Sequence, residues 1–203
     1  MRKIVESGYE TGDYAGKFRR NNQPNKMEEN FLKKLIDILP KNPSVLDFGC
    51  GTGIPFDKYL AEHSCEITGI DISKKHIDQA KKNIPRAEFI KGDFSRINVQ
   101  KTFDAIISLY AIFHIPREEH KDLFKKMAEI LNKNGAILVT LGTTNEKCIE
   151  AKDWCDAKMA WSTYDPEMYK KMLNEAGFKI VNAMFEGKPG DEEHHFWVLA
   201  KKK

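Results

Sequence analysis

The chain has 203 residues, of which 41% are hydrophobic and 31% charged, so it suits a single globular domain over residues 1–203 and excludes wholesale disorder. Lysine and arginine exceed aspartate and glutamate by only 33 to 30 and form no concentrated basic face, which argues against a nucleic-acid partner. No apolar run reaches the ~20 residues of a membrane span, residues 1–8 lack the core of a signal peptide, and the cysteines lack C-x-x-C spacing. We therefore expect a cytoplasmic protein with reduced thiols and no membrane partner.

The first elements are an arm, a helix and a strand. Residues 1–22 are rich in glycine, tyrosine and charge without a sustained period, and we interpret them as an irregular N-terminal arm. A helix should follow, because Asn25 and Glu28 resemble a capping box and Pro40 ends the apolar period. The short apolar run 44–48 predicts a buried first strand.

Helix and strand patterns then alternate along the chain. Helices are predicted at 55–62, 74–83, 117–131 and 166–177, and strands at 66–70, 87–90, 103–109 and 136–141. The last strand-like runs, 178–185 and 195–201, are too close for a parallel crossover and predict an antiparallel hairpin. This order predicts an α/β fold with a mostly parallel sheet, helices on both faces, and ligands at the carboxyl ends of the strands.

A glycine-rich turn follows the first strand in VLDFGCGTG, residues 45–53. Such a turn before a helix can cradle a nucleotide, and Asp71 ends the next strand, where a carboxylate can accept ribose hydroxyls. Ile54 occupies the place where a dinucleotide fingerprint has its third glycine. The Asp47 carboxylate would repel a pyrophosphate and attract an ammonium. These features favour S-adenosylmethionine (SAM), with an NAD-dependent oxidoreductase as the alternative.

Five segments together resemble the class I SAM-dependent methyltransferases of the type 11 or type 25 branch: VLDFGCGTGIP, ITGIDIS, FIKGDF, FDAIISLYAIFHIP and LNKNGAILVT. The resemblance implies a Rossmann-like three-layer αβα sandwich with seven strands in the order 3-2-1-4-5-7-6 and an antiparallel terminal strand. It also implies SAM as methyl donor and S-adenosylhomocysteine (SAH) as product. The cofactor-binding residues expected on this basis are Asp47, Phe48, Gly49, Cys50, Gly51, Gly53, Asp71, Ile72, Asp93, Phe94, Leu109 and, from the arm, Tyr14.

In the family pattern Asp71 binds the ribose, Asp93 takes the adenine amino group, and Ile72 and Phe94 flank the ring. Each carboxylate also has an ordinary structural explanation. Asp47 could be a buried paired carboxylate, Asp71 a helix cap, and Asp93 a turn residue.

His114 lies in the segment that follows the fourth strand, at the edge of the sheet where the methyl group should lie. It is therefore a candidate base, with a pocket-wall or packing role as the alternative. Tyr110 shares that ambiguity. Residues 143–164 could form a lid whose Trp154, Trp161 and Tyr164 wall a substrate pocket, or they could pack a surface helix on the core. The arm, with Tyr9, Tyr14, Phe18 and Arg19, could fold over the cofactor or become ordered only when it binds.

The expected activity is methyl transfer to a nitrogen or oxygen of a small molecule by in-line displacement. The fourth strand ends in Ser108-Leu109-Tyr110-Ala111 and lacks the Pro-Pro-aromatic motif of enzymes that methylate nucleobase or glutamine amino groups. A protein or RNA acceptor and a non-catalytic SAM-binding protein remain alternatives, as do a monomer and a homodimer. The run 191–195 contains metal-ligand residue types, but adjacent strand side chains point to opposite faces, so no metal is expected.

Overall fold

The computed structural model describes residues 1–18, 22–191 and 194–203. Its strands are β1 (Ser44–Phe48), β2 (Glu66–Asp71), β3 (Glu88–Lys91), β4 (Phe103–Ser108), β5 (Leu131–Leu141), β6 (Glu146–Trp154), β7 (Ala157–Thr163), β8 (Phe178–Glu186) and β9 (His195–Lys202). Its helices are α1 (Arg2–Thr11), α2 (Tyr14–Phe18), α3 (Lys26–Asp37), α4 (Phe56–Glu62), α5 (Lys74–Asn83), α6 (His120–Glu129) and α7 (Pro166–Glu175).

Seven strands form one sheet in the order β3-β2-β1-β4-β5-β9-β8. Strands β1 to β5 are parallel, and β9 lies antiparallel between β5 and β8. Because β6 and β7 form a separate hairpin, β8 and β9 are the sixth and seventh strands of the sheet. The predicted strand order and the antiparallel terminal hairpin are therefore confirmed.

The core lies on both faces of the sheet. Along β1, Val45 packs with α3 on one face, whereas Leu46 and Phe48 pack with α6 and α7 on the other. Successive strand side chains point to opposite faces, so a run buried at every position requires a layer of helices on each side. The three-layer prediction is confirmed.

Side-chain caps fix where several helices begin. The Asn25 side chain accepts hydrogen bonds from the backbone N–H groups of Met27 and Glu28, and Glu28 accepts one from the Asn25 N–H at 2.7 Å, which completes the predicted capping box. Asp165 caps α7 through its side chain alone, which accepts a hydrogen bond from the Met168 N–H, and Pro166 is the first residue of the helix. None of the helices in the described ranges is long and apolar enough to cross a membrane.

The N-terminal arm differs from expectation, because α1 and α2 are helical rather than irregular. Val5 and Gly8 of α1 are buried against Met159 and Ala160 of β7. A Cβ atom on Gly8 would lie 2.5 Å from the backbone oxygen of Lys158, so only glycine allows α1 to approach the hairpin this closely. The arm's Arg19 lies outside the described residues.

The segment 143–164 forms the β6–β7 hairpin, so the alternative of a surface helix is wrong. Its two-residue turn places Cys155 and Asp156 at φ 52° and φ 64°, the left-handed conformations of a type I′ turn. One face of the hairpin supports α1, and Trp154 and Trp161 reach the carboxyl edge of the sheet. The helix predicted at 117–131 is also shorter, because residues 117–119 form a 3₁₀ turn and Leu131 already belongs to β5.

Candidate active site

A cavity, here called the inner cavity, opens at the carboxyl ends of β1, β2 and β4, beneath α1. Open α/β sheets bind ligands at this edge, where neighbouring connections leave in opposite directions. The predicted cofactor residues in its wall are Gly49, Gly51, Asp71, Ile72, Asp93, Phe94, Leu109 and Tyr14. Behind the wall lie Asp47, Phe48, Cys50 and Gly53.

The glycine loop is shaped by two different constraints. Gly49 has φ +89°, and a Cβ atom there would lie 2.3 Å from the Cβ of Ala111. Gly51 has φ +54°, and a Cβ atom there would meet nothing within 4 Å, because this residue faces the inner cavity. The first glycine therefore serves packing, and the second keeps the main chain open to a ligand.

Asp71 ties the loop to the end of β2. Its Oδ2 accepts a hydrogen bond from the Gly51 N–H at 2.9 Å, and its Oδ1 accepts one from the Ser73 N–H at 2.8 Å. The cap of α5 itself is Ser73, whose Oγ accepts from the His76 N–H. Each carboxylate oxygen can accept a second bond, so Asp71 can support the loop and also receive hydroxyl donors from the inner cavity.

Asp93 is held by the N-terminal helix. Arg2 donates from Nε to its Oδ2 at 2.5 Å and also pairs with Glu119, while Ser95 donates to Oδ1 from Oγ at 2.7 Å. Burial alone would raise the pKa of Asp93, but the hydrogen bonds from Ser95 and Arg2 outweigh it and leave the pKa lowered. The residue is thus an ionised anchor for α1 in the wall of the inner cavity.

Three further loop residues face away from the inner cavity. The Phe48 ring is fully buried and stacks on Phe94 at a centroid distance of 5.4 Å. Cys50 packs in the apolar cluster between α5 and β3, and Gly53 contacts Ile84 in the same cluster. Burial raises the pKa of the Cys50 thiol, which keeps it protonated and fits a packing role.

Asp47 lies beneath the loop and faces the carboxyl group of Asp57 on α4; both are buried. Asp47 is therefore a buried, paired carboxylate, as one of the alternatives expected. Its partner is a second acid rather than a base.

A second cavity, here called the outer cavity, has a volume of about 690 Å³ and lies between α1, the β6–β7 hairpin and the β8–β9 turn. Its walls are mainly aromatic: Tyr9, Tyr14, Phe18, Tyr110, Phe113, Trp154 and Trp161, together with His114, His194 and His195. Trp154 and Trp161, expected in a substrate pocket, lie in the wall of this cavity. The Tyr164 ring instead packs between His120, Tyr169 and the guanidinium of Arg117, 4.7 Å from its centroid, and does not line this cavity.

The two cavities share Tyr9, Tyr14, Tyr110 and His114 in their walls. His114 is the most constrained of these. Its Nδ1 lies 3.0 Å from the Ala160 carbonyl oxygen, which can only accept, so Nδ1 carries the proton. Its Nε2 therefore accepts a hydrogen bond from the Tyr9 hydroxyl at 2.8 Å. Burial lowers the pKa of His114 to about 4, so the ring is neutral at physiological pH.

Tyr110 is an anchor rather than a proton acceptor. Its hydroxyl lies 2.9 Å from both Glu28 Oε1 and Glu186 Oε1. Glu186 also accepts from Trp197 Nε1 and His195 Nδ1, both at 3.1 Å. Burial would raise the pKa of Glu186, but these donors and Tyr110 leave it lowered. A phenol beside an ionised carboxylate donates its proton, so it is poorly placed to take one from a substrate.

The metal-like run near the terminal hairpin is used for structure. His194 and His195 both bind Glu186, one through its backbone oxygen and the other through its side chain. Glu192 and Glu193 lie outside the described residues. Across the ranges that are described, no three His, Cys, Asp or Glu side chains converge as a metal site would require.

The comparisons with known proteins agree with this geometry. The sequence profile of a methyltransferase domain matches residues 45–135, which run from the start of β1 into β5. By this match the chain contains a methyltransferase domain of the class I, Rossmann-like type 11/25 branch. Within this family it is 33% identical over 113 residues to an uncharacterised methyltransferase of Alkaliphilus oremlandii, covering 55% of this chain and 52% of the relative. The chain thus spans about half the length of the curated relatives it matches first.

Two other members of the family cover more of the chain. A ubiquinone biosynthesis O-methyltransferase of Pelagibacter ubique is 28% identical, over 84% of this chain and 77% of that protein. The crystal structure of a magnesium protoporphyrin IX methyltransferase from Synechocystis with bound SAM superimposes with a TM-score of 0.72 at 15% identity, over 100% of this chain and 97% of that one. The second likeness shows the shared fold.

The sequence did not indicate three features of the site. Arg2 carries no motif, and its bonds to Asp93 and Glu119 depend on α1 lying across the sheet edge. The Tyr9–His114 contact joins residues 105 positions apart. Asp57 looked like an ordinary acidic residue in the first turn of a helix.

Proposed function

We propose that the protein is a SAM-dependent methyltransferase that transfers a methyl group to a hydroxyl oxygen of a small aromatic molecule. The observation that carries the proposal is the meeting of the two cavities at His114. A methyl donor in the inner cavity and a methyl acceptor in the outer cavity would meet beside the His114 ring. The neutral ring offers the lone pair of its Nε2 atom at that point.

The inner cavity has the chemistry that SAM requires. Gly51 exposes main chain without a Cβ atom, Asp71 can receive ribose hydroxyls, and the buried Oδ1 of Asp47 has no hydrogen-bond donor. Phe94 and Ile72 offer apolar surface to an adenine ring. When bound, SAM supplies a methyl group on a positively charged sulfur.

Access to the inner cavity depends on α1. Its free volume is about 60 Å³, which is smaller than a nucleoside, and Arg2, Val5 and Tyr9 of α1 form part of its wall. We infer that α1 swings outward to admit the cofactor and then closes on it. The ion pair of Arg2 with Asp93 is one of the contacts that would exchange during this movement.

His114 is suited to orient a hydroxyl group. The Ala160 carbonyl fixes the tautomer, so Nε2 can accept a hydrogen bond from an acceptor hydroxyl as it does from Tyr9. SAM bound in the inner cavity would supply the methyl group to the hydroxyl oxygen, and His114 Nε2 would receive the hydroxyl proton. A pKa of about 4 makes His114 a weak base. The hydroxyl becomes strongly acidic as its oxygen acquires the methyl group, so late transfer to a weak base suffices, and alignment supplies most of the acceleration.

The outer cavity suits an aromatic acceptor. Tyr14 and Phe18 stack on Trp154 with interplanar angles of 26° and 21°, which leaves flat apolar surfaces facing the cavity. The hydrogen bond of the Tyr9 hydroxyl with His114 Nε2, at 2.8 Å, supports a phenolic acceptor at this nitrogen. The similarity to an O-methyltransferase of ubiquinone biosynthesis supports an oxygen acceptor of this type.

The test is methyl transfer from radiolabelled SAM to a panel of catechols and phenols, with primary and secondary amines of similar size as comparison. We expect phenolic substrates to be methylated. Methylation of the amines alone would overturn the acceptor assignment, and SAM binding without transfer to any phenol would overturn the proposed activity.

Two substitutions of His114 sharpen this test. His114→Asn keeps a donor towards Ala160 but has no atom at the Nε2 position, whereas the His114→Gln amide can reach that position. We expect His114→Asn to lower kcat on a phenol by about 10²-fold, the lower end of general-base effects, and His114→Gln to lower it less. Equal, unchanged rates in both variants would leave His114 as a packing residue only.

A further inference from the structure

Two carboxyl groups face each other in the interior behind the glycine loop. Asp57 is 0% exposed and Asp47 is 3% exposed. Both oxygens of Asp57 and Oδ1 of Asp47 have no donor, although the two carboxyl groups lie within hydrogen-bonding reach of each other. Two ionised carboxylates are acceptors only, so the contact is a hydrogen bond only if one of them keeps a proton.

Among the residues that the structure describes, no basic side chain acts on either carboxyl group of this pair. The other charge acting on Asp47 is that of Asp71 on β2, which is also acidic. Asp71 itself accepts hydrogen bonds from the Gly51 and Ser73 N–H groups. Its Oδ1 lies 3.6 Å from Nδ1 of His76 on α5. The remaining titratable neighbour is the Cys50 thiol in the glycine loop, whose pKa is raised first by burial and then by the charges of the same three carboxyl groups.

Burial without a counter-charge makes the doubly ionised pair unfavourable. Burial raises the pKa of Asp57, and despite the opposing effect of the hydrogen bond with Asp47 it reaches about 7. The pKa of Asp47 is also raised, first by burial and then by the charge of Asp57. The pair therefore holds a shared proton near neutral pH, as two carboxyl groups at one site generally do.

We propose that Asp57 is a positioning residue for Asp47 and that binding of the cofactor's ammonium group drives the proton shared by Asp47 and Asp57 into solvent. This inference rests on the proposed function, in which Asp47 attracts that ammonium. The reaction balances simply: a singly protonated pair and an ammonium give two carboxylates, the same ammonium and one free proton. The second carboxylate doubles the negative charge that the ammonium meets.

The consequence is a cofactor affinity that depends on pH. Raising the pH removes the proton that binding must otherwise expel, so affinity should rise with pH, by up to tenfold per pH unit while one proton is released. The gain should end at about pH 8, where an α-amino group loses its own charge.

Calorimetric titration with SAH at pH 6.5 tests this directly. The binding enthalpy is measured in phosphate and in imidazole, and its dependence on the buffer's ionisation enthalpy gives the number of protons released. We expect the wild type to release between roughly half a proton and one proton, and Asp57→Asn to release almost none. The matched control is Asp37→Asn, an exposed position on α3, which should behave as the wild type.

The outcomes separate the two claims. SAH binding with no proton release in the wild type, or equal release from Asp57→Asn, would overturn this inference but not the cofactor assignment. An absence of SAH binding at every pH would overturn the proposed function instead. If Asp57→Asn fails to fold, the wild-type dissociation constant between pH 5.5 and pH 7.5 still decides, because a flat profile contradicts proton release.

Discussion

The buried Asp47–Asp57 pair gives a prediction about stability that needs no cofactor. The pKa of Asp57 rises from its ordinary 3.8 to about 7 in the folded chain because the group is buried. Between these values the folded state binds a proton that the unfolded state has lost, so the unfolding free energy falls as the pH rises. In Asp57→Asn the amide can donate to Asp47, and this loss should disappear.

The magnitude follows from the size of the change. One pKa unit corresponds to about 1.4 kcal/mol, so the wild type should lose up to about 4 kcal/mol between pH 4 and pH 7.5 relative to Asp57→Asn. Groups whose pKa is lowered on folding, such as Glu186 and Asp93, act in the opposite direction but equally in both proteins.

The assay is urea unfolding of the wild type, Asp57→Asn and the exposed control Asp37→Asn at several pH values over this range. The wild type and the control should give parallel profiles, and Asp57→Asn should diverge from them as the pH rises. Parallel profiles for all three proteins would refute a shared proton in the folded state.

Three other changes test how the site is assembled. Gly8→Ala should detach α1 from the hairpin, because its Cβ atom would meet the Lys158 oxygen at 2.5 Å; amide exchange across residues 2–11 should accelerate, while Ser7→Ala, exposed on the same helix, should match the wild type. Glu186→Gln should lower the unfolding free energy by about 1–3 kcal/mol in urea, since a buried acceptor of charge-assisted hydrogen bonds is lost; an unchanged midpoint would contradict this. Tyr9→Phe should leave the melting temperature within ~2 °C but change the pH profile of kcat, because His114 Nε2 loses its donor; an identical profile would remove Tyr9 from the site.

The strands of the central sheet could be predicted because they are buried on both faces. In β1, Val45, Leu46 and Phe48 are fully buried apolar residues, and a glycine turn follows the strand. The same alternation of runs and turns placed Asp71 and Leu109 at the carboxyl edge. The carboxyl ends of parallel strands meet at the same edge of a sheet. Most of the expected cofactor residues follow these strand ends and therefore lie together.

The N-terminal helix and the hairpin could not be predicted because each depends on the other for burial. The apolar face of α1 is short, and its contact needs Gly8, a residue that normally weakens helices. Strand β6 is largely exposed and carries charged side chains, and its turn has Cys155 and Asp156 where Asn-Gly or Asp-Gly would signal a hairpin. These two elements form part of the wall of the outer cavity, so its shape could not be predicted either.

Titration with SAH is the most direct test that the inner cavity is the cofactor site. Gly51→Val places a side chain in that cavity at φ +54°, and Gly177→Val introduces the same strain at φ +90° in the turn before β8, where a Cβ atom also meets nothing within 4 Å. We expect the wild type and Gly177→Val to bind SAH and Gly51→Val to lose at least ~100-fold in affinity, which is about 3 kcal/mol. Binding by Gly51→Val as tight as by Gly177→Val would contradict the account.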